Sequence, residues 1–229
     1  CSGAGVSWTE IDLDNAINGS VAGIVFDDSG KADIEALLAS LADTQFQKDG
    51  VACILEKPDS VEDWRVGEAI AESYVIEHRN GLFPWPDGRD ERKRKSSLPG
   101  ADLVGFRGAI DDSCFAFGEV KTSSEEKYPP GAMHGRTGLK QQLEDLRDDK
   151  TIRDSLDAYL GYRAIKSDWV DVYKNAARRY LASSSNVYVF GILVRDVAPN
   201  QDDLRVRVEK LSDACPHGTV IELFAIYLP

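Results

Sequence analysis

Two segments, LPGADLVGF at residues 98–106 and FAFGEVKTS at residues 115–123, set charged residues inside otherwise apolar runs. Side chains alternate faces along a strand, so Glu119 and Lys121 share one face while Val120 points into the opposite layer. The pattern predicts strands over residues 101–110 and 114–122, joined by a turn around Asp111 and Asp112. A two-residue loop there sets Asp102 opposite Lys121 and Val104 opposite Glu119, which crowds Asp102, Glu119 and Lys121 onto one face. A three-residue loop would send Asp102 to the other side, so this expectation depends on the turn. The ordinary alternative is a cross-strand salt bridge, worth about 1 kcal/mol at most when exposed. Phe115, Phe117 and Val104 flank the trio, however, and burying charge without a function is costly.

The rest of the chain reads as mixed α/β. Strands are expected at residues 20–26 and 51–56 around a helix at 33–46, and Ser60 is expected to cap a helix over 61–79 that carries Glu68 and Glu72. Residues 80–98, rich in Gly, Pro and charge, are expected to be a long loop, as is the Gly-rich stretch at 128–138. Helices at 139–148, 153–160 and 168–181 and strands at 187–195, 204–209 and 220–228 complete a mixed central sheet flanked by helices. Residues 1–60 are expected as an N-terminal α/β extension packed on residues 61–229, in one compact unit.

Composition narrows the function classes. The 229 residues are 42% apolar and 29% charged, which excludes disorder for most of the chain. The apolar run VYVFGILV at 187–194 is far shorter than the roughly 20 residues of a membrane helix, and no secretory signal layout opens the chain, so a cytoplasmic protein without membrane contact is expected. Four well-separated cysteines without a CxxC pair suggest neither a disulfide framework nor a structural zinc site. No Walker A, GxSxG or HExxH sequence is present, so nucleotide hydrolysis is not expected of this chain. A net charge of −12 repels a phosphate backbone at long range, and any nucleic-acid contact must be local. The candidates are the basic cluster Arg92, Lys93, Arg94 and Lys95, with Thr122 and Gln142 as possible hydrogen-bond donors. Phe83 and Trp85 would either stack on bases or pack the loop onto the core.

Two carboxylates beside an amine suit a hard divalent cation such as Mg²⁺ or Mn²⁺, which takes oxygen ligands and keeps waters for exchange. A helix bearing Glu68 in WRVGEAIAE, Asp102 in LPGADLVGF, and Glu119 and Lys121 in GEVKTS together resemble the PD-(D/E)xK nuclease superfamily. The combination is similar to the nuclease subunit of Hachiman-type anti-phage defence systems. Over residues 61–150 the resemblance implies a restriction-endonuclease-like α-β-β-β-α-β core with N-terminal and C-terminal additions. It implies Asp102 and Glu119 as metal ligands, the Val120 carbonyl as a third, Lys121 as the catalytic lysine and Glu68 as an auxiliary acid. DNA is the implied substrate, and the acidic surface implies a partner, a helicase or other regulatory subunit, that delivers it. Two features depart from the pattern: Gly100 and Ala101 separate Pro99 from Asp102, and no Tyr stands four residues after Gln142. The rival expectations are a nuclease-fold module that binds protein or DNA without cutting, and a structural subunit in which the trio is an ion pair.

Overall fold

The computed structural model describes residues 1–57, 60–90, 100–213 and 215–229. Arg92, Lys93, Arg94 and Lys95, and the first two residues of LPGADLVGF, lie outside the described residues. Strand β1 (Ser2–Ser7) is followed by α1 (Glu10–Ala16), a π-helical turn (Ile17–Val21), α2 (Ala22–Phe26), α3 (Asp28–Ala39) and α4 (Gln45–Ile54). Next come α5 (Asp63–Arg79), β2 (Gly81–Leu82), β3 (Leu103–Arg107), β4 (Cys114–Ser123), α6 (Leu139–Asp148), α7 (Lys150–Ala164) and α8 (Val170–Ala182). The chain closes with β5 (Val187–Arg195), α9 (Arg205–Ser212) and β6 (Val220–Tyr227).

The strands form one mixed sheet in the order β1-β6-β5-β4-β3-β2. β1, β6, β5 and β4 run parallel to their neighbours, while the β4–β3 and β3–β2 pairs are antiparallel. The expected α/β class therefore holds, and α5-β2-β3-β4-α6-β5 reproduces the α-β-β-β-α-β order, with α7 and α8 inserted before β5. β5 is buried along its whole length, because strands flank it and helices cover both faces; this is why its sequence is an unbroken apolar run.

The two faces have separate cores. On one, Phe106, Phe115 and Phe117 lie under α6, α7 and α8, with ring centroids 5.8 and 6.0 Å apart along the series. Burying each such ring contributes roughly 1.5–3 kcal/mol. On the other, Ala116, Val120, Phe190 and Ile192 lie under Ala69, Ile70 and Tyr74 of α5, with Ile17, Val21 and Ile24 beside them.

Four expectations are corrected. Residues 20–26 are helical rather than extended, because Ile17, Val21, Ile24 and Val25 fall on one helical stripe against α5. Residues 51–54 continue α4, which begins at a reciprocal cap: Thr44 Oγ1 accepts from the Gln47 amide, and Gln47 Oε1 accepts from the Thr44 amide. Residues 205–209 belong to α9; Leu204, Val206 and Val208 alternate like a strand, yet the buried set is Leu204, Arg207 and Leu211, at helical spacing. α5 starts at Asp63 with Glu62 as its N-cap and no capping side chain, so Ser60 does not cap it. β1 was not expected at all.

Candidate metal and catalytic site

The link between β3 and β4 spans residues 108–113 and contains a short 3-10 turn at Ile110–Asp112, so it is longer than the expected two-residue loop. The register is accordingly displaced by two residues, with Val104 opposite Phe117 and Leu103 opposite Gly118. An even displacement preserves the faces, and Asp102 still arrives beside Glu119 and Lys121. Asp102 Oδ2 accepts a 2.7 Å hydrogen bond from the Val120 amide. β4 runs on past the end of β3 here, and a strand residue presents its N–H and C=O to the same side. The Val120 carbonyl therefore opens toward the Asp102 edge.

Glu119 continues the Phe115–Phe117 face and is only 2% exposed. Lys121 Nζ lies 3.5 Å from Glu119 Oε2. Beside Glu119 on β5 stands Gly191, and a Cβ there would lie 2.5 Å from Leu143 Cδ1. The absent side chain lets α6 close over the carboxylate. Burial first, and then the negative charge of Asp102, push the Glu119 carboxyl up to about 9; the nearby Lys121 ammonium only partly offsets them. Two acids thus share a site that is short of positive charge, and a divalent cation relieves that shortage. Carboxylate oxygens with an adjacent open carbonyl are a donor set suited to Mg²⁺ or Mn²⁺.

Glu68 reaches this region from the other side of the sheet. Gly67 is buried where α5 crosses β4, and a Cβ there would overlap the Thr122 methyl, so glycine sets how closely the Glu68-bearing helix approaches. Glu68 and Glu72, one turn apart, line a cleft of about 450 Å³ that also includes Asp102, Leu103 and Val104. Among the described residues no three or more His, Cys, Asp or Glu side chains are arranged to hold one ion, so Glu68 is not a third carboxylate of the Asp102–Glu119 pair.

No protein-family model matches this chain, and no match is found among the curated proteins.

The expected substrate contacts divide. Among the described residues the buried Oε1 of Gln142 has no hydrogen-bond partner, while its neighbour Gln141 donates to Asp145 at 2.9 Å within α6. Thr122 is exposed at the end of β4, with its methyl turned to Gly67. Arg89, the first basic residue of the loop, grips Asp27 through Nε and Nη2 at 2.7 and 2.8 Å. Trp85 packs down: its Nε1 donates to Asp90, which also accepts from Tyr159 and Arg163. Burial raises the Asp90 carboxyl, but these hydrogen bonds outweigh it and hold the group below the usual carboxylate range.

Sequence reasoning missed the anchor behind β4. Arg195, at the end of β5, is buried with Asp203 at 3.6 Å and donates to the Glu125 carbonyl at 2.6 Å. This ties down the segment that leaves the site strand. A cation at the end of the apolar 187–195 run is the one sequence signal that could have pointed to it.

Among the described residues no helix is long and apolar enough to cross a membrane.

Proposed function

We propose that this chain is a metal-dependent deoxyribonuclease, active with Mg²⁺ or Mn²⁺ in the cytoplasm as an anti-phage defence effector under the control of a partner such as a helicase. The observation that carries this reading is the buried Glu119 carboxyl held beside Asp102, with the Lys121 ammonium 3.5 Å away. Asp102 and Glu119 would hold the cation, with the Val120 carbonyl completing the protein donors. When bound, that cation neutralises charge on the scissile phosphate and makes a coordinated water more acidic. Lys121 orients the attacking water or stabilises the anion that develops, and Glu68 on the cleft wall serves as an auxiliary acid. Delivery by a partner fits a chain whose net charge of −12 opposes free association with DNA.

A cleavage assay on linear, circular, single-stranded and duplex DNA, with Mg²⁺ or Mn²⁺, tests the proposal. Lys121→Ala is expected to lower the rate by roughly 100-fold or more, the scale of losing one electrostatic donor, without unfolding the chain. Full cleavage by that variant overturns the assignment. A second reading, a non-cleaving module, draws on the lack of a three-carboxylate cluster among the described residues. It expects no metal-dependent cleavage and no functional effect of Asp102→Ala.

A further inference from the structure

The N-terminal arm carries an apolar surface that its own fold does not cover. Apart from Gly30, no residue of α3 or α4 is buried. Ile34 and Leu37 on α3 are 47 and 63% exposed, Leu41 in the turn after it is 65% exposed, and on α4 Phe46 and Ile54 are 87 and 65% exposed. Helices of 12 and 10 residues are marginal alone and usually depend on packing of their apolar face. A single exposed leucine is ordinary, but five large apolar side chains concentrated on one hairpin mark a contact surface.

Charge identifies what fits it. Residues 1–60 contain eleven Asp or Glu, three Lys and no Arg, a net of −8 out of the chain's −12. On or between the two helices lie Asp28, Asp33, Glu35, Asp43 and Asp49 against Lys31 and Lys48, so the hairpin itself is net acidic. A nucleic acid, an anionic membrane or the same hairpin of a second copy would meet like charge. A protein surface that is apolar at its centre and rimmed by Lys and Arg would not. Position gives the contact a consequence, since Ile34 and Ile54 also line the cleft containing Glu68 and Asp102, and Arg89 and Asp27 bridge its walls.

We propose that the exposed face of the α3–α4 hairpin docks a basic-rimmed partner protein, which thereby stands at the mouth of the cleft. The docking itself is independent of the nuclease reading; only its consequence for access to the cleft rests on that reading. Binding is therefore measured without cleavage, so that either can fail alone.

The probe is an 18-residue amphipathic peptide with leucines on one face and lysines on the other, titrated into the full chain. A peptide with glutamate in place of lysine serves as control. Saturable binding of the lysine peptide is expected, weakened by salt and at least 10-fold by Leu37→Asp with Phe46→Asp. Amide exchange in residues 28–54 should slow on binding while β4–β6 are unchanged. Three results would overturn the proposal: equal binding of the glutamate peptide, binding indifferent to the two substitutions, or a free chain that is already a dimer dissociated by Phe46→Asp. Because Leu37 and Phe46 are exposed, both variants should fold, which circular dichroism checks.

Discussion

Glu119 offers a quantitative test that needs no substrate. In the metal-free folded chain its carboxyl holds a proton up to about 9, whereas an unfolded chain releases it near the ordinary value of 4.5. Between those limits the folded state binds more protons than the unfolded state, so this contribution to stability is complete below 4.5 and is lost as pH rises toward 9. Glu119→Gln keeps the shape and removes the titration. Between pH 6 and pH 8 the wild-type chain should therefore lose about 3 kcal/mol relative to Glu119→Gln. Urea unfolding followed by tryptophan fluorescence, in chelator at a series of pH values, measures the difference. Mg²⁺ should reverse the wild-type loss with release of about one proton per ion at pH 7, read by calorimetry in two buffers of different ionisation enthalpy. Parallel pH profiles for the two proteins would refute the reasoning, because they would mean that Glu119 is ionised without a cation.

Gly67→Ala drives a methyl into Thr122 and should cost about 1–3 kcal/mol, with Thr122→Ser in the same chain recovering most of it; chemical denaturation of the single and double variants checks the coupling. Arg195→Met leaves Asp203 buried without its cation and should cost roughly 3–5 kcal/mol, whereas Arg195→Met with Asp203→Leu should be much closer to wild type by thermal unfolding. A similar loss in both variants would contradict the account of this pair.

The site was legible because strand periodicity survives errors of register. FAFGEVKTS assigns Glu119 and Lys121 to one face whatever the turn, and Asp102 joined them because the register displacement was even. The Thr44–Gln47 cap is legible in the sequence and marks a helix start seven residues before 51–54, whose apolar run taken alone resembles a strand. Residues 204–208 misled for a different reason. Alternation over five residues fits a strand, and only the burial of Arg207 and Leu211 reveals the helix. Pairing of β1 with β6 joins the two ends of the chain, which no local pattern encodes. The affinity of Glu119 for its proton was equally hidden, since it follows from the helix that closes over Gly191 rather than from the motif.

The central claim is a two-carboxylate cradle for a hard ion, and anomalous diffraction from crystals soaked in Mn²⁺ examines it directly. The account predicts one strong peak about 2.0–2.3 Å from carboxylate oxygens of both Asp102 and Glu119, absent in Glu119→Gln. A peak elsewhere, or none at these residues with Glu119 still facing Asp102, would contradict it.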